Sequence, residues 1–61
     1  MILVLYDETG DVSGYVQNVV SLIMDFDNKE LCYTTWNKKK DILERKILKA
    51  DVCFSNFKVE L

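Results

Sequence analysis

Residues 12–26 decide what this chain can fold into, because their apolar side chains fit two different periods. At helical spacing Val12, Tyr15, Val16, Val19, Val20, Ile23 and Met24 share a face, with Asp11 placed as an N-cap. At strand spacing Val12, Gly14, Val16, Val20, Leu22, Met24 and Phe26 share one, interrupted only by Asn18. Composition breaks the tie. The segment holds four valines, an isoleucine, two serines and a glycine, and no Ala, Glu, Lys or Arg. Branched side chains lose rotamer freedom in a helix and pack well on a pleated surface. A surface helix would also carry charge on its outer face. The segment therefore reads as extended chain, divided into two strands by a kink or bulge near Gln17-Asn18.

The rest of the chain supports strands. Met1 to Tyr6 is a run of branched apolar residues ending at Asp7-Glu8-Thr9-Gly10-Asp11, a strand entering a turn in which Gly10 takes positive φ. Because the run is continuous, both of its faces are expected to be covered. Asp27 and Asn28 sit between alternating apolar arms and predict a hairpin. In its second arm Leu31, Tyr33 and Thr35 share one face, and Cys32, Thr34 and Trp36 share the other. Residues 37–41 form a polar, basic connection. Residues 42–49 read as a strand followed by a tight turn at Lys49-Ala50-Asp51. As a helix, they would place Lys38, Lys39 and Lys40 in a first turn whose dipole disfavours positive charge. Residues 52–61 read as a final strand with Phe57, Val59 and Leu61 inward.

Sixty-one residues allow one small domain with a marginal core. Such chains often gain stability from a partner. Large catalytic clefts are excluded by size. The chain has no histidine, which removes imidazole acid–base chemistry, Ser-His and Cys-His nucleophile pairs and His-containing metal sites. Cys32 and Cys53 are too few for a four-cysteine zinc site and too far apart for a redox CxxC pair. They read as buried apolar side chains in a reducing compartment. No stretch approaches the roughly 20 apolar residues of a membrane helix. The first six residues are too short for a signal-peptide core. The expectation is a cytoplasmic protein with no membrane partner, no cofactor and no small-molecule substrate.

The leading architecture is all-β: a small barrel or strongly bent antiparallel sheet of five or six short strands. The order hairpin, aromatic-rich strand ending in Trp36, further strand, one-turn corner and last strand resembles an SH3-like barrel over residues 12–56. That resemblance implies a binding module. The alternative is α/β, with helices at 12–26 and 38–49. On that reading residues 2–11 followed by a helix resemble the first strand, phosphate loop and first helix of flavodoxins. Residues 50–57 resemble their third strand and the loop after it. The resemblance implies phosphate contacts from Thr9 and the backbone of Gly10. The carboxylates of Asp7, Glu8 and Asp11 would repel a phosphate in that loop.

Charge is unevenly placed. Residues 1–36 hold six acidic groups against Lys29 alone, and residues 37–61 hold seven basic groups against four acidic ones, in a chain of net charge −2. Two surfaces stand out. Tyr33, Trp36, Lys38, Lys39 and Lys40 join aromatics to a lysine run, a pattern suited to single-stranded nucleic acid, where bases stack and phosphates pair with ammonium groups. The apolar excess of residues 1–5 and 12–24 is more than one face of so small a fold covers, and predicts an open strand edge or apolar patch that pairs with another chain. The leading expectation is thus a non-enzymatic interaction module that binds a larger protein or forms a homodimer. Accessory or regulatory proteins of mobile elements often have this size. The alternative is a nucleic-acid-binding small barrel built on the aromatic–lysine patch.

Overall fold

A computed structural model describes residues 1–61. It is all-β, with six strands and no helix: β1 (Ile2–Tyr6), β2 (Val12–Val16), β3 (Val19–Asp25), β4 (Glu30–Asn37), β5 (Ile42–Lys49) and β6 (Asn56–Glu60). They form two three-stranded antiparallel sheets, ordered β2-β1-β6 and β3-β4-β5. The sheets do not join into one closed barrel ladder.

Residues 12–26 are extended, and Gln17-Asn18 separates β2 from β3. Asn18 makes the bend by taking φ 59°, a left-handed conformation that asparagine tolerates better than most residues. One nearly continuous stretch of chain therefore forms an edge of both sheets. A reciprocal pair of hydrogen bonds sews the sheets together beside it, and a further bond extends the β3–β4 ladder to Asn18. The Val19 amide donates to the Met1 carbonyl at 3.0 Å, and the Met1 ammonium donates to the Val19 carbonyl at 3.0 Å. The Trp36 amide donates to the Asn18 carbonyl at 2.9 Å.

The α/β alternative is overturned at both proposed helices. Residues 12–26 are strands, and residues 38–49 are a four-residue turn and β5. Without a helix after Gly10 there is no N-terminal cradle for a phosphate. Gly10 does take positive φ, at 88°, but in a hairpin turn between β1 and β2. The expected final strand is shorter than its sequence suggests. Residues 51–53 form a turn, and β6 begins at Asn56. In this turn Asp51 takes φ 66° and its amide donates to the Phe54 carbonyl at 2.8 Å.

The core lies between the sheets. Leu3 and Leu5 on β1, Val19 on β3, Leu31 and Tyr33 on β4 and Phe54 after the turn are buried together. Phe54 meets Phe57 edge to face at 6.0 Å between ring centroids. Phe57 is thus half-buried as expected, whereas Val59, beside Leu3 but on an edge strand, stays exposed, and Leu61 lies beyond the end of β6 and is fully exposed. The strand-period face assigned to residues 12–26 also needs correction. A bulge between Val19 and Ser21 turns Val20 outward, and Phe26 has left the sheet. Cys53 is exposed in the turn and Cys32 is half-buried, both as free thiols, so neither is the buried core side chain expected.

Candidate functional site: the outer face of the β3-β4-β5 sheet

Opposite residues of an antiparallel ladder point to the same side, so register fixes the two faces of this sheet. Its inner face carries Leu22, Tyr33 and Lys46 in one row and Met24, Leu31 and Leu48 in the next. Its outer face carries four rows. Asp25, Glu30 and Lys49 form the first; Ile23, Cys32 and Ile47 the second; Ser21, Thr34 and Arg45 the third; Trp36 and Leu43 the fourth.

No element of the chain packs over that outer face. Ile23 is 62% exposed, Leu43 60% and Ile47 56%, while Cys32 and Trp36 between them are half-buried by their neighbours. The sheet thus presents an apolar stripe to solvent, bounded by carboxylates on β3 and β4 and cations on β5. The chain's ion pairs are Lys29–Asp51 at 4.0 Å and Lys58–Glu60 at 3.1 Å, so Arg45 and Lys49 have no acidic partner within 4.0 Å. The Asp25 carboxylate is fixed by Asn28, whose side-chain amide donates to Oδ2 at 2.9 Å and whose backbone amide donates to Oδ1 at 3.2 Å. These bonds hold its pKa below the ordinary aspartate value, the side-chain donor contributing most.

The aromatic–lysine patch divides across β4. Tyr33 is buried in the core, facing away from Trp36, and presents no ring for stacking. Trp36 is on the outer face near the β4–β5 turn. At that end of the sheet it contributes to a surface concavity of about 360 Å3 with Lys38, Lys39, Asn18 and the inner-face residue Glu44. Asn37 shapes the turn. Its Oδ1 accepts the backbone amides of Lys39 at 3.1 Å and Lys40 at 3.2 Å, and its side-chain amide donates to Glu44 Oε1 at 2.8 Å. Trp36, Lys38 and Lys39 are therefore brought together. Lys40 is exposed on the same turn.

The acidic loop between β1 and β2 is organised by its own hydrogen bonds. Asp7 Oδ1 accepts the amides of Thr9 at 2.9 Å and Asp11 at 3.0 Å. Thr9 Oγ1 lies 2.6 Å from the same oxygen, the nearer recipient of its single proton, and 3.1 Å from Asp11 Oδ2. The Thr9 hydroxyl is the largest of the influences that hold the Asp7 pKa below its usual value.

Ile23, Leu43 and Ile47 were not singled out by sequence, although the signal was present. If Leu22 and Met24 face the core, Ile23 between them must face away. Leu43 and Ile47 share their parity with the cations of β5, which made them read as ordinary strand residues.

No family model, curated protein or solved structure matches this chain.

Proposed function

We propose that this chain is a non-enzymatic protein-interaction module that docks through the outer face of β3-β4-β5. The observation that carries the reading is the uncovered row Ile23-Cys32-Ile47, continued by Trp36 and Leu43. Contiguous exposed apolar side chains with a polar rim are characteristic of interaction surfaces.

The element order supports an SH3-like reading. A bent β2–β3 segment contributes to both sheets, a single turn separates β5 from β6, and β6 returns to pair with β1. Such small β modules serve as docking domains whose specificity lies in exposed side chains. A cytoplasmic, regulatory role, as in an accessory protein of a mobile element, suits a chain of this size. The test is a pull-down from the source cell with tagged wild-type chain and with Ile47→Arg. Loss of a saltproof partner in the variant, with an unchanged unfolding midpoint, supports docking through this face. Retention of every partner overturns it.

A second reading follows from the union of Trp36, Lys38 and Lys39 in one concavity: single-stranded nucleic acid stacked on Trp36. Its affinity for an oligonucleotide would fall steeply with salt, and reversing the charge of Lys38, Lys39 and Lys40 would abolish it. Binding that persists in the reversed variant excludes this reading.

A further inference from the structure

We infer that the occupant of the outer face of β3-β4-β5 is a second copy of this chain, stacked face to face about a two-fold axis parallel to β4. The inference rests on the docking role proposed for this face and adds the identity and geometry of the partner.

The argument is one of self-complementarity. A two-fold axis along the strand direction places β3 of one copy over β5 of the other and keeps each row in register with itself. Asp25 then faces Lys49 of the second copy, and Ile23 faces Ile47 of the second copy. Both contacts occur twice, as an isologous interface requires. Ser21 faces Arg45, and Cys32 and Trp36 lie beside their own equivalents at the axis. Glu30 meets its equivalent there, with a Lys49 beside it on each sheet. The other in-plane axis, perpendicular to the strands, fails. Placed between the middle rows it sets Ile47 against Arg45 and Ile23 against Ser21, and placed through the isoleucine row it sets Lys49 against Arg45, a pair of like charges. Only the first arrangement gives the unpaired Lys49 an acidic partner while burying the apolar row. Stacked sheets settle about 10 Å apart, a separation that the isoleucines and the Trp36 rings fill.

The size of the face sets the strength. Three strands about 4.8 Å apart and eight residues long give a footprint of roughly 400 Å2. A standard stable interface buries about 800 Å2 on each partner. The dimer is therefore concentration-dependent rather than obligate, and the monomer must fold alone.

Sedimentation equilibrium of the full chain, from micromolar to millimolar, reads this directly. The expected mass rises from 7.1 kDa towards twice that value. Lys49→Asp and Asp25→Lys should each weaken self-association by about tenfold or more, because each sets like charges face to face. Mixing these two variants is the decisive step. In the mixed pair residues 25 and 49 again face opposite charges across the interface, so the heterodimer should form more tightly than either homodimer. Because Asp25 also holds the β3–β4 turn, each variant's urea midpoint is measured alongside. If Asp25→Lys is unfolded, Lys49→Asp and Ile47→Arg carry the test alone, and both must weaken the dimer. A chain that stays at 7.1 kDa at every concentration, a dimer unmoved by the variants, or a mixture no tighter than its components overturns the inference. An Ile47-dependent pull-down partner alongside a monomeric chain would sink self-association and leave the docking role standing. Loss of both would sink the docking role as well.

Discussion

The two sheets have the same number of strands and the same antiparallel pairing, yet they treat their outer faces in opposite ways. On β2-β1-β6 the central outward residue, Val4, is only 1% exposed. It lies directly between Tyr15 on β2 and Lys58 on β6. Long amphipathic side chains can lie along an apolar neighbour while their polar ends stay wet. Lys58 is anchored in such a position by Glu60 and Tyr6, which raise its pKa above the usual lysine value. On β3-β4-β5 the corresponding central residue, Cys32, has Ile23 and Ile47 on either side, and these are themselves exposed. A three-stranded sheet can roof its own centre when its edges supply a Tyr and a Lys. With isoleucines at the edges the apolar surface is left open to solvent.

That contrast can be broken by substitution. The largest effect belongs to the shared interior: Leu31→Ala should lose about 2–5 kcal/mol of stability in urea unfolding, since Leu31 is wholly buried. Val4→Ala follows, at about 2 kcal/mol, although Val4 sits on an outer face. Ile47→Ala, on the outer face of the other sheet, should change monomer stability by less than about 0.5 kcal/mol. Equal losses for Val4→Ala and Ile47→Ala would erase the distinction between the two faces. Removing the roof should sharpen it. Tyr15→Ala is expected to lose about 1 kcal/mol by exposing Val4, and in the Val4→Ala background this loss should shrink. Additive losses in that double mutant would show that Tyr15 does not cover Val4.

The smallest effect is electrostatic, and each sheet supplies one turn carboxylate. Asp7 and Asp25 both have folded pKa values below the ordinary aspartate value. A depressed pKa means the folded state favours the ionised form. The stability it brings is complete above the unfolded value and is lost as pH falls through the folded one. These groups should leave stability flat between pH 7 and about pH 5 and draw it down below about pH 4. Asp7→Asn should reduce that acid decline in thermal melts. A decline of undiminished size in the variant would show that the loop bonds of Asp7 carry no pH-dependent stability.

The sequence carried much of the fold. The valine-rich composition of residues 12–26 outweighed their helical period. A branched side chain favours the pleated sheet wherever it falls in the pattern, whereas an apolar stripe can satisfy two periods at once. The bend at Asn18 and the positive φ of Gly10 were legible because so few residue types fit such conformations. The bulge after Val19 was not. It depends on how β3 must step to keep pairing with β4 while Val19 bonds Met1. The division of the aromatic–lysine patch was already implied by strand alternation, which puts Tyr33 and Trp36 on opposite sides of β4. Which side became the core was settled only by where the second sheet lay.

The order of strands, the turns between them and the alternation along each one were thus written locally, since propensity and φ preference act over a few neighbouring residues. The fate of each apolar side chain was not. Val4 and Cys32 occupy matching central positions on the outer faces of two similar sheets. Whether such a position closes or stays open depends on residues 9 to 54 positions away along the chain, brought alongside it only by pairing of the strands.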